Sequence, residues 1–88
     1  MVCENVIVQC KLGLHARPAS LFSKSAFQFK SKIQVIKNGK SCDAKSILGI
    51  LSLCVKCGDE ITIRCEGEDE QSALNKLVEI AKGMQDNL

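Results

Sequence analysis

The period at which hydrophobic and polar residues alternate changes several times along this chain, and each change marks a new element. Val6, Val8 and Cys10 alternate with Ile7 and Gln9, a period of two that predicts a half-buried strand. Lys11 to Leu14 then read as a turn. Pro18, Phe22, Ala26 and Phe29 recur at helical spacing, predicting a helix from roughly Ala16 to Phe27. Proline is tolerated in a first helical turn because the amide it lacks would be unpaired there. Ile33 and Val35 start a second strand. Asn38-Gly39, two residues that accept positive φ, predicts a tight hairpin into a third strand over Lys40 to Asp43. Ser46 is placed to cap a short helix from Ile47 to Leu53. Gly58 turns the chain into a fourth strand, with Ile61, Ile63 and Cys65 on one face and Thr62, Arg64 and Glu66 on the other. Asp69 is placed to cap a last helix carrying Ala73, Leu74, Leu77, Val78, Ala81 and Met84 on one side.

The order is βαββαβα, an α+β chain. One antiparallel sheet needs cover for its apolar face, and the helices supply it, giving an open-faced β-sandwich. The helix at Ile47 adds a detail. It carries apolar residues at 47, 48, 50, 51 and 53. A helix this short cannot bury all of them against one sheet, so some face water as an apolar cluster of the kind that docks partners.

Composition narrows the picture. Eighty-eight residues suffice for a single domain over 1–88, and no linker, repeat or low-complexity segment divides it. With three Phe and neither Tyr nor Trp, the core is built from aliphatics and cysteine. The formal net charge of +2, with no basic run interleaved with aromatics, argues against nucleic-acid binding. No apolar stretch approaches the roughly 18 residues of a membrane span. Met1 to Asn5 lack the charged and apolar segments of a secretory signal, so a cytoplasmic location is expected.

Six cysteines invite comparison with disulfide scaffolds, but those are loop-rich and this chain is strongly periodic. Cys10 and Cys65 fall on the apolar phase of strand patterns, where cysteine acts as a small hydrophobe. Cys54 and Cys57 have CxxC spacing without a second pair or a spare histidine to complete a zinc site. They lie between a helix and a strand, whereas a redox CxxC usually opens a helix after a strand. The cysteines are therefore read as reduced thiols, and no metal or cofactor is expected.

The candidate chemistry sits in Gly13-Leu14-His15-Ala16-Arg17-Pro18-Ala19-Ser20, which holds the only histidine. His15 falls at or beside a helix N-cap, near free amides and the positive end of the helix dipole. A nucleophilic imidazole beside an anion site suits a carrier of phosphoryl groups. Its unperturbed pKa near ~6.5 leaves much of it neutral and nucleophilic at cytosolic pH.

This block resembles the HPr family, the histidine-containing phosphocarriers of the bacterial phosphoenolpyruvate-dependent sugar phosphotransferase system. Asn38-Gly39-Lys40, Ala44-Lys45-Ser46-Ile47, Leu53 and Glu66-Gly67-Glu68-Asp69-Glu70 extend the resemblance over nearly the whole chain. It implies a four-stranded antiparallel sheet with three helices on one face. It implies that His15 accepts a phosphoryl group from Enzyme I and passes it to Enzyme IIA proteins. The amides of Ala16 and Arg17 and the Arg17 guanidinium would neutralise the new charge. Lys24, Ile47, Leu48 and Leu51 stand at partner-docking positions, and the protein is expected to be a monomeric carrier rather than a stand-alone enzyme.

Ser46 matches a serine that many Gram-positive members offer to an ATP-dependent serine kinase/phosphorylase. That implies an alternative role, a regulatory module recruited by a transcriptional repressor. A nitrogen-regulatory paralogue with the same chemistry is a further alternative. Two positions depart from the family. Cys54 stands where glycine usually ends the short helix, so a strained or reshaped turn is expected. Phe27 stands where a basic or polar residue is frequent, implying an altered partner preference.

Overall fold

The period-two segments of the chain become strands because one row of their side chains can leave water together, and helices close over that row. A computed structural model describes residues 1–9 and 16–83. The elements run β1 (Val2–Ile7), α1 (Ala16–Phe27), β2 (Lys32–Lys37), β3 (Lys40–Asp43), α2 (Ile47–Ser52), β4 (Glu60–Glu66) and α3 (Glu70–Ala81). The four strands form one antiparallel sheet in the order β1-β4-β2-β3. The expected α+β sandwich and the order βαββαβα are both present.

On the covered face lie Val6, Val8, Ile33, Val35, Ile61, Ile63 and Cys65, all buried. Helix α1 sets Ala19, Phe22 and Ala26 against them, and α3 adds Ala73, Leu74, Leu77, Val78, Ile80 and Ala81. Fully burying one such aliphatic side chain contributes about 1.5–3 kcal/mol. On the open face Thr62 and Asn5 oppose one another across β1 and β4, and the Thr62 hydroxyl donates to Asn5 Oδ1 at 2.7 Å.

β1 lies earlier than the alternation predicts. The strand spans Val2–Ile7, and Val8 and Gln9 continue beyond it. Val8 still exchanges backbone hydrogen bonds with the loop before β4, its amide donating to Asp59 O and its carbonyl accepting from Gly58 N, each at 2.8 Å. Gln9 N turns instead to Ala81 O at the end of α3. Cys10 and Met84 lie outside the described residues.

The hairpin between β2 and β3 uses Asn38 and Gly39 at φ +51° and +81°, the pair of left-handed residues its sequence predicts. Asp69 departs from its expected role. It stands at the N-cap of α3 but makes no side-chain cap bond. Its carboxylate reaches across to the segment before β2, accepting from Lys30 N at 2.9 Å, Ser31 N at 3.0 Å and the Ser31 hydroxyl. Three donors on another element outcompete its own helix amides, and these bonds hold the Asp69 carboxyl below the usual carboxylate range. Glu70 serves the turn, accepting from Gly67 N at 3.1 Å.

Candidate functional site

Helix α1 begins at Ala16, the residue after the sole histidine. His15 itself and the Arg17 side chain lie outside the described residues, as does any contact of the Ala16 side chain. The structure does place the remaining candidates, on α1 and on the segment from Lys45 through α2.

Ser46 caps α2 as its sequence predicts. Its backbone is extended, and its Oγ accepts from Gly49 N at 3.0 Å. The residue is exposed. Helix α2 then divides its apolar residues. Ile50 and the C-cap Leu53 are buried, Ile47 and Leu48 face solvent, and Leu51 is half-buried against the core. The surplus of apolar residues is resolved as expected, by leaving two of them on the surface.

Lys24, Ile47 and Leu48 share an open groove of about 570 Å³ between α1 and α2, with Phe27 and Ser46 also lining it. Leu51 is not among the lining residues. Phe27 thus joins the docking candidates. Its sequence signal is spacing, because Ser20, Lys24 and Phe27 stand four and then three residues apart and share one side of α1. The buried Ser23 sits at the base and donates to Lys45 O at 2.8 Å. Lys45 Nζ donates to Phe29 O at 3.0 Å. Two hydrogen bonds therefore tie the segment leading into α2 to α1 and to Phe29, two residues beyond its end.

The far end of α2 is held by one ammonium group. Lys37 Nζ donates to Cys54 O at 2.8 Å and Leu53 O at 3.2 Å, and pairs with Asp59 Oδ2 at 2.9 Å. The same carboxylate accepts from Lys56 N at 2.8 Å. The Lys56 amide, with the Lys37 ammonium beside it, holds the Asp59 carboxyl below its ordinary value. Cys54 has φ +52°, a left-handed conformation that costs a side-chain-bearing residue about 1–2 kcal/mol. Of the two outcomes expected here, a strained or a reshaped turn, the left-handed Cys54 shows the strained one.

The described cysteines, Cys3, Cys42, Cys54, Cys57 and Cys65, are unpaired. Val55 and Lys56 run between Cys54 and Cys57 without a turn or bend. Burial, with Glu70 and Asp69 nearby, pushes the Cys65 thiol up to about 11. It is a core side chain rather than a reactive one. Among the described residues no three His, Cys, Asp or Glu side chains gather to hold a metal ion. No described helix is long and apolar enough to cross a membrane.

Comparison with known proteins gives this arrangement its context. A family model for the HPr component of the phosphotransferase system, described by its phosphorylation site, matches residues 2–82. The HPr-like protein Crh of Bacillus subtilis is 51% identical over 77 residues, covering 88% of this chain and 91% of that protein. The crystal structure of the phosphocarrier HPr from Bacillus anthracis superposes with a TM-score of 0.89 at 45% identity, covering 91% of this chain and 95% of that one. A Crh crystal structure from Bacillus subtilis, described as a catabolite repression protein with a swapped domain in an intertwined dimer, has a TM-score of 0.76 at 47% identity. It covers 94% of this chain and 95% of that one. With a family model matched over residues 2–82 and an overall fold shared with a solved phosphocarrier, this chain belongs to the HPr family of the phosphotransferase system, whose members are phosphocarriers.

Proposed function

We propose that this chain carries a phosphoryl group on His15, received from phosphorylated Enzyme I and delivered to Enzyme IIA proteins for sugar uptake. The observation that carries the reading is the position of the only histidine, one residue before α1 and inside the stretch matched by the family. In the transfer, a neutral imidazole nitrogen, Nδ1 by analogy with the family, attacks phosphorus. The new N–P bond forms as the bond from phosphorus to its donor breaks. The opening amides of α1, Ala16 and Arg17, are the groups to meet the phosphate oxygens, with the Arg17 guanidinium as counter-charge. Stabilisation of an anion at a helix end is about 0.3–1 kcal/mol, or ~2 kcal/mol when partly buried. That biases a reversible transfer without trapping the group.

Incubation with Enzyme I and phosphoenolpyruvate should give one acid-labile, alkali-stable phosphate per chain, and His15→Ala should abolish it. Acid-labile phosphate on the alanine variant would refute the assignment.

Ser46 supports a second, regulatory reading. It is exposed, it caps α2, and it lines the same groove as Lys24, Ile47 and Leu48. The likeness to Crh points the same way. A phosphate there adds about −1.5 to −2 charges at the edge of the apolar groove. That charge would repel an acidic partner surface and offer a new one to a transcriptional repressor. Modification by an ATP-dependent serine kinase/phosphorylase is the reaction this reading requires. The carrier itself is taken as a monomer, and the intertwined dimer of Crh is the alternative assembly.

A further inference from the structure

Helix α1 and the segment before α2 touch at one polar point inside the molecule, where the buried Ser23 hydroxyl donates to Lys45 O at 2.8 Å. Each of these residues has a neighbour in the chain that lines the groove, Lys24 on α1 and Ser46 at the start of α2, and both neighbours are exposed. Consecutive Cα atoms are about 3.8 Å apart, so a lysine and a serine flanking such a contact come within reach of a flexible four-carbon stem once the serine carries a group of its own. The contact is anchored twice, because Lys45 is also held through its side chain, Nζ donating to Phe29 O at 3.0 Å.

The charged groups around Ser46 differ in what they are free to do. The Lys45 ammonium is engaged by Phe29 O. The Asp43 carboxylate, at the end of β3 and outside the groove, accepts from Lys45 N at 2.9 Å. Lys24 has no carboxylate partner among the described residues, whose ion pairs are Met1 with Glu70 and Lys37 with Asp59. No described carboxylate lines the groove. A dianion on Ser46 is therefore repelled on the β3 side and attracted on the α1 side.

We propose that Lys24 is the internal counter-charge of a phosphate on Ser46, its ammonium crossing the groove to form an ion pair that bridges α1 and the start of α2. The inference rests on the regulatory reading of Ser46 and names how that modification acts within the molecule. Phosphorylation then has two effects at once. It adds negative charge, and it withdraws the exposed cation of the rim from any other anion. The modified and unmodified chains differ in the shape of the groove as well as in its charge.

The test is a phosphorus NMR pH titration of the full chain with phosphoserine genetically encoded at position 46. Wild type is compared with Lys24→Gln, Lys24→Arg and Lys24→Glu. In parallel, unmodified wild type is incubated with ATP and the serine kinase/phosphorylase. A cation beside the phosphate favours the dianion and lowers its second pKa from the ordinary ~6. Lys24→Gln should raise that pKa by about half a pH unit, the scale of an exposed ion pair. Lys24→Arg should keep it low, and Lys24→Glu should raise it further. High salt should bring wild type and Lys24→Gln together. The opening amides of α2 act alike in every variant, so the differences report the side chain at position 24. Without phosphate the variants should melt close to wild type, since Lys24 is exposed, and with phosphate Lys24→Gln should melt lower. Equal pKa values in wild type and Lys24→Gln overturn the inference while the regulatory reading stands. No modification of wild type by the kinase overturns the regulatory reading and the inference with it, so the two failures are read from separate measurements.

Discussion

Cys54 shows how one side chain can oppose its own backbone. It sits just past α2 at φ +52°, where a Cβ crowds the following carbonyl. The conformation persists because Lys37 binds the Leu53 and Cys54 carbonyls and pairs with Asp59. Glycine would remove the crowding, about 1–2 kcal/mol, and would add about 0.4–1 kcal/mol of freedom to the unfolded chain. We therefore expect Cys54→Gly to stabilise the protein by about 0.5–1 kcal/mol, read as a rise of a few degrees in Tm by thermal unfolding. Gly67 presents the converse. A Cβ there would meet Ser31 Oγ at 2.7 Å and Ser31 Cα at 2.8 Å, so the position admits no side chain without moving backbone. Strain is tolerated at Cys54 because its side chain points to open solvent. It is not available at Gly67, where the neighbour is the main chain.

Helix α2 is too short to stand on its own propensity, and its cap matters accordingly. Ser46→Ala removes the bond to Gly49 N and should cost about 1 kcal/mol, seen as a lower denaturant midpoint with an unchanged slope. The elements were legible in the chain wherever side chains alone decide them. Ile61, Ile63 and Cys65 alternate cleanly because β4 is a central strand with one covered face. The bounds of α1 and the Asn38-Gly39 turn follow from helical spacing and from residues that accept positive φ. β1 was less legible. It is an edge strand whose Cys3, Glu4 and Asn5 are all exposed, and pairing of its main chain with β4, which no side-chain period records, defines its start. The place of Asp69 in the sequence suits a cap, whereas its partners, Lys30 and Ser31, come from a distant segment. Of the candidate site, the exposed apolar face of α2 is legible in the sequence as a surplus of apolar residues. Its meeting with Phe27 could not, since only the folded molecule sets α1 beside α2.

Across the whole molecule, Asp69 ties the start of the last helix to the middle of the chain. Its carboxyl is held below the ordinary value by the Ser31 hydroxyl and the Lys30 amide. A lowered folded-state pKa means that the stabilisation is full above the unfolded value and is lost as pH falls through the folded one. Asp69→Asn should therefore be less stable than wild type near neutrality and lose less on acidification, so that the two stability curves converge toward acid pH. Chemical denaturation across an acid to neutral series checks this. The acid limb should flatten without disappearing, because Asp59 and Glu70 are also held low by their hydrogen bonds. The strand order carries a different consequence, one for biosynthesis. β1 is made first, yet its partners from Cys65 back to Glu60 emerge from the ribosome more than half a chain later. β2 needs the same late strand on its inner side, and the β2–β3 hairpin alone is marginal in water. The nascent chain thus has no central strand until translation is nearly complete, and its first strand waits as an unpaired edge that chaperones or a second nascent copy could meet before its own β4 arrives.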